Sequence, residues 1–84
     1  MTAITLTDLR DVLIASVGEE SDLAAYGEKL RTMPFEDLGY DSLALIETSA
    51  ELRRRYGVSI PEDLAAQFTT PGELLEFVNE KLAS

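Results

Sequence analysis

Neither cysteine nor histidine occurs in the 84 residues. That absence removes disulfides, zinc fingers, thiol nucleophiles and every Ser–His or Cys–His catalytic pair. A chain this short is one domain at most, residues 1–84, and apolar packing has to hold it. Apolar residues make up 45%, at the low edge of the globular range, so a core is feasible with stability on the order of 4–13 kcal/mol. Sixteen acids against seven bases leave a formal net charge of −9. Such a field repels nucleic acid and anionic membranes, because binding phosphates needs clustered Lys and Arg. The run Arg53-Arg54-Arg55 is too short to reverse it. No apolar stretch has the length of a membrane span, and the N-terminus lacks the basic start and apolar run of a signal peptide. The expectation is a soluble, monomeric, cytoplasmic protein.

Helical periodicity dominates the chain. Thr5 is a suitable N-cap with Asp8 three residues on, and Leu6, Leu9, Val12, Leu13 and Val17 form one apolar face of a helix over 5–17 that Gly18 ends. Residues 18–41 read as a long ordered loop with a helical turn near Leu23 to Tyr26, pinned by Leu30, Phe35 and Leu38 and stiffened by Pro34. Asp41 caps a second long helix that runs to Tyr56 and stops at Gly57. Pro61 opens a short helix through about Gln67. Thr70-Pro71-Gly72-Glu73 is the clearest helix start in the chain: a Thr cap, Pro at the first position and Glu at the third. No alternating segment is long enough for a sheet. The predicted fold is all-α, a small four-helix bundle of three long helices and one short, with a long loop between the first two.

The helix from Asp41 has two apolar stripes. At about 100° per residue, Leu45, Ser49, Leu52 and Tyr56 fall together and lean on the bundle. Leu43, Ile46 and Ala50 lie roughly 130° around the helix, bordered by Glu47 and Arg54, while Ala44, Glu51 and Arg55 take the polar side. This second stripe either packs under the long loop or meets a partner, since apolar groups ringed by charge mark interaction sites. Ser42 follows the cap. A serine at a helix start is usually a capping or solvent-facing residue. With no histidine in the chain to take its proton, chemistry at Ser42 needs a base from another protein, which points to a modification site and not a catalyst.

Other motifs fail. Counting an EF-hand loop from Asp37 puts Gly39 third and Ser42 sixth, a poor match, so no metal site is expected. Residues 39–42 lack the G-x-S-x-G elbow of serine hydrolases. Paired carboxylates follow from composition and imply no cleft.

Phe35-Glu36-Asp37-Leu38-Gly39-Tyr40-Asp41-Ser42-Leu43 resembles the attachment motif of acyl carrier proteins. Ala44-Leu45-Ile46-Glu47, Arg55-Tyr56-Gly57-Val58-Ser59-Ile60-Pro61 and Thr69-Thr70-Pro71 look like the carriers of type II, aromatic polyketide synthases. The resemblance spans nearly the whole chain and is least diagnostic from Glu19 to Met33. It implies that Ser42 receives a 4′-phosphopantetheine arm from coenzyme A through a phosphopantetheinyl transferase, and that the arm's thiol carries polyketide intermediates as thioesters. It further implies partner recognition by the second helix through Asp41, Leu43, Ile46, Glu47 and Ala50, with Asp41 helping the transferase dock. The partners implied are a ketosynthase/chain-length factor and a malonyl transferase, with ketoreductase and cyclases beside them.

Departures within the family bear on subtype. Peptidyl carriers usually have Gly-Gly where Gly39-Tyr40 stands. Fatty-acid carriers usually have Ala in place of Tyr40 and a further acid in place of Ala44. Arg53, Arg54 and Arg55 dilute the acidity usual on the fatty-acid recognition helix. The reading is a non-catalytic polyketide carrier. The alternatives are a fatty-acid or other discrete carrier, a helical adaptor whose Ser42 carries nothing, and a small hydrolase using its carboxylates.

Overall fold

The computed structural model describes residues 3–17 and 23–83. Four α-helices follow one another: α1 (Leu6–Val17), α2 (Ser42–Tyr56), α3 (Glu62–Ala65) and α4 (Pro71–Ala83). No strand occurs among the described residues. Between α1 and α2 the chain forms 3₁₀ helix over Leu23–Thr32, broken at Gly27. α1 packs on α2, α4 and the 3₁₀ segment, α4 also packs on that segment, and α3 leans on α2.

The starts of the helices follow their cap residues. Thr5 and Asp8 close a reciprocal box: the Thr5 N–H donates to Asp8 Oδ2 (3.0 Å) and the Asp8 N–H to Thr5 Oγ1 (3.1 Å). Just before it, the Asn79 side chain on α4 bonds both backbone groups of Ile4, accepting at 2.8 Å and donating at 3.1 Å. At α4 the Glu73 N–H donates to Thr70 Oγ1. The Glu73 carboxylate reaches past the cap to Thr69, accepting from both its N–H and its hydroxyl at 2.7 Å. The Thr69 backbone and side-chain bonds hold this carboxyl below its ordinary pKa.

Leu9, Val12 and Leu13 of α1 are fully buried and meet Leu52 of α2 and Val78 of α4 in one core. Gly18 and the side chain of Val17 lie outside the described residues.

Two expectations need correction. Over Leu23–Thr32 the chain is far more helical than a loop with one turn near Leu23 to Tyr26. Leu23 and Leu30 are both buried, and anchoring the two ends against α1 and α4 leaves room for helical turns between them. Gly27, at φ 58° and ψ −134°, breaks them into two short pieces, the length at which 3₁₀ helix is common. The short third helix spans only Glu62–Ala65. Pro61 sits just ahead of it in extended backbone, and no side chain caps its start.

Candidate functional site

Asp41 caps α2 as the sequence requires: its Oδ1 accepts from the Ala44 N–H at 2.8 Å, and its backbone is extended. Gly57 ends α2 in the left-handed region at φ 73°, donating its N–H to the Arg53 carbonyl. Ser42 is the first residue of α2. Its side chain is exposed, and no hydrogen bond to its hydroxyl occurs among the described residues. Asp41 does the capping, so Ser42 is spared that task.

What fixes Ser42 in place is the turn before it. Gly39 takes φ 82°, which admits the tight bend into Tyr40. Tyr40 is buried; its N–H donates to the Phe35 carbonyl (2.9 Å), its hydroxyl to the Leu13 carbonyl of α1 (2.8 Å), and its ring lies 5.8 Å from that of Phe35. The Phe35 N–H in turn donates to the Thr69 carbonyl ahead of α4 (2.8 Å). A cleft of about 330 Å³ opens beside Ser42, walled by Tyr40, Leu45, Phe68 and Thr69 among others. Phe68 is held edge-on against Phe77 of α4 at 5.5 Å.

The two stripes of α2 separate by exposure. Leu45, Ser49 and Leu52 are buried and Tyr56 is half-buried against the core. On the second stripe Leu43 is 64% exposed, Ala50 and Glu47 are exposed, and Ile46 is half-buried outside the core cluster. The buried arc is wider than the stripe expected from the sequence and extends to the other side: Ala44 packs on the core, and Thr48 is fully buried. Thr48 returns its hydroxyl to the Ala44 carbonyl (2.9 Å) and Ser49 to that of Ile46 (2.7 Å), so both polar groups enter the core satisfied. Glu51 pairs with Arg54 and, at 2.6 Å, with Arg55.

A family described as "Phosphopantetheine attachment site" matches residues 8–78. The chain is 50% identical over 82 residues to the actinorhodin polyketide synthase acyl carrier protein of Streptomyces coelicolor, covering 98% of this chain and 94% of that one. The chain belongs to the acyl carrier proteins. It is also 40% identical to the oxytetracycline polyketide synthase acyl carrier protein of Streptomyces rimosus, over 98% of this chain and 85% of that one. The solved holo form of the actinorhodin carrier matches this structure with a TM-score of 0.85 at 50% identity, over 98% and 94% of the two chains. Carriers of this family bear a phosphopantetheine group and catalyse nothing themselves.

This carrier's residues fit that group. The exposed Ser42 hydroxyl has no bond to give up, and the cleft beside it is open. Sequence reasoning missed Tyr40 as a structural pin and Phe68 as a wall of the cleft. The apolar Tyr40 ring between two loop-forming residues was a signal for the first. No spacing rule brings residue 68 to residue 42.

Proposed function

We propose that Ser42 is the attachment point for 4′-phosphopantetheine and that residues 1–84 act as one carrier unit for polyketide intermediates. The observation that carries this is a free, exposed hydroxyl at the head of α2, beside a carboxylate already committed to the helix cap. In the loading step Ser42 Oγ attacks the phosphorus of coenzyme A that bears the pantetheine. The new Oγ–P bond forms as the phosphoanhydride P–O bond breaks, and adenosine 3′,5′-bisphosphate leaves. The serine proton passes to a base of the phosphopantetheinyl transferase, because this chain offers no histidine. The attached group supplies the thiol that a cysteine-free chain lacks.

The exposed residues Leu43, Glu47 and Ala50, with half-buried Ile46 and with Asp41 at the cap, form the surface we assign to partner docking. Apolar groups at the centre give contact, and the acids at the rim steer encounter. The partners on this reading are the transferase, a ketosynthase/chain-length factor and a malonyl transferase, with ketoreductase and cyclases downstream. No helix among the described residues is long and apolar enough to cross a membrane. We place the carrier in the cytoplasm, where coenzyme A is available.

The test is intact mass after incubation with coenzyme A and a promiscuous transferase. Wild type should gain one phosphopantetheinyl group and Ser42→Ala none. The variant should keep its helical circular dichroism, since Asp41 retains the cap and Ala is a strong helix former. A mass gain on the variant would remove Ser42 as the site.

A further inference from the structure

Ser42, Ile46, Ser49 and Arg53 fall within an arc of about 60° on α2 at 100° per residue, so one straight line down the helix joins the serine to Arg53. From Ile46 onward that line enters a groove of about 580 Å³, whose other wall is Ser59, Ile60, Pro61 and Glu62. Arg53 and Lys81 both line it, from α2 and from α4. Neither makes an ion pair among the described residues, whereas Arg54 and Arg55 are both taken up by Glu51. The Lys81 ammonium stands 5.3 Å over the Phe77 ring. Ser49 returns its hydroxyl to the Ile46 carbonyl, so the α2 wall presents no hungry donor on the way. The groove thus sets the apolar Ile46, Ala50, Ile60 and Pro61 beside the polar Ser49 and Ser59, and holds two cations against the single acid Glu62, in a chain of net charge −9.

We infer that this groove receives the acyl arm when its acyl group ends in a carboxylate, as malonyl does, with Arg53 and Lys81 pairing that carboxylate. The inference rests on attachment at Ser42. Length permits it: Ser42 to Arg53 is about 16 Å along the axis. A malonyl-phosphopantetheine chain has roughly seventeen bonds from Oγ to the carboxyl carbon, the equal of almost six peptide residues, or ~19 Å extended. An acetyl arm lays the same pantetheine stem in the groove with nothing for the cations to hold. Charge therefore selects the extender unit over its decarboxylated product, and a guanidinium suits a carboxylate by its paired donors.

The experiment loads the protein from malonyl-coenzyme A or acetyl-coenzyme A with a promiscuous transferase, confirms loading by intact mass, and compares amide and arginine Nε–H spectra. The malonyl form should shift Ala50, Ile60 and the Arg53 Nε–H beyond the acetyl form. Arg53→Gln combined with Lys81→Gln should abolish that difference, and both substitutions lie on exposed residues. Glu62→Gln, which removes the competing acid, should enlarge it. Loaded protein whose malonyl-specific shifts stay within the first turn of α2, or persist unchanged in the double variant, would overturn the inference alone. Absence of any mass gain would overturn the Ser42 assignment and this inference with it.

Discussion

Ile46 is the residue at which folding and recognition part. It is half-buried yet stands outside the core cluster that holds Leu45 and Leu52 on the same helix. Ile46→Asp should therefore cost the fold about 1 kcal/mol or less, where a carboxylate forced into the core would cost several. Transfer by a ketosynthase should fall sharply, because the charge lands in the apolar centre of the docking surface. Denaturant midpoints and transfer rates, measured on the same preparation, check both halves; a folded variant with normal transfer would take Ile46 off that surface. The sequence made this residue legible because helical spacing alone turns it about 100° away from Leu45. It did not make Thr48 legible: a polar residue returning its hydroxyl to its own helix reads as solvent-facing, and only the width of the buried arc shows otherwise. For Tyr40 the ring was a signal, but its anchor was hidden for a different reason. Its partner, the Leu13 carbonyl, is 27 residues away, and no local rule pairs a tyrosine with a distant helix carbonyl.

Among the elements, the caps at Thr5, Asp41 and Gly57 were read accurately, while the start of α3 and the 3₁₀ segment were not. Asp41, Gly57 and Thr5 each act within four residues, so their chemistry is written locally. The 3₁₀ segment is shaped by its docking on α1 and α4, a long-range effect. One point of that docking is exacting: a Cβ at Gly72 would lie 2.7 Å from the Arg31 carbonyl oxygen and 2.9 Å from Arg31 Cγ. Alanine for glycine in an open helix gains up to about 1 kcal/mol. Here the collision with backbone should outweigh that gain, and overpacking of this kind costs about 1–3 kcal/mol. Gly72→Ala should melt several degrees below wild type, at about 4–8 °C per kcal/mol for a domain of this size. A rise in melting temperature would show that the segment yields freely. Glu73 gives α4 a pH dependence. Its folded pKa is lowered by the Thr69 bonds, so its contribution is present above the ordinary value of about 4.3 and disappears as pH falls through the folded value. The melting-temperature gap between wild type and Glu73→Gln should be widest near neutrality and close in acid. A gap independent of pH would mean that the charge plays no part.

For the molecule as a whole, net charge −9 sets the response to salt. Asp8 and Asp11 on α1, and Glu36, Asp37 and Asp41 ahead of α2, concentrate like charge in the compact state. Exposed charges are screened beyond roughly 8–10 Å at moderate ionic strength. The melting temperature should climb as sodium chloride goes from low to moderate concentration; a flat or falling curve would assign the balance to ion pairs such as Glu51 with Arg54 and Arg55. Thr69 has a further bearing on the whole carrier. Its carbonyl takes the Phe35 N–H, while its N–H and hydroxyl hold Glu73, so the turn that leads to Ser42 is moored to the start of α4 through one residue. That mooring makes the Phe35 amide a built-in gauge. Its proton can exchange with solvent only when the two turns part. Whatever wedges open the cleft beside the serine, whether cargo, partner or heat, is therefore written into the exchange rate of a single backbone hydrogen.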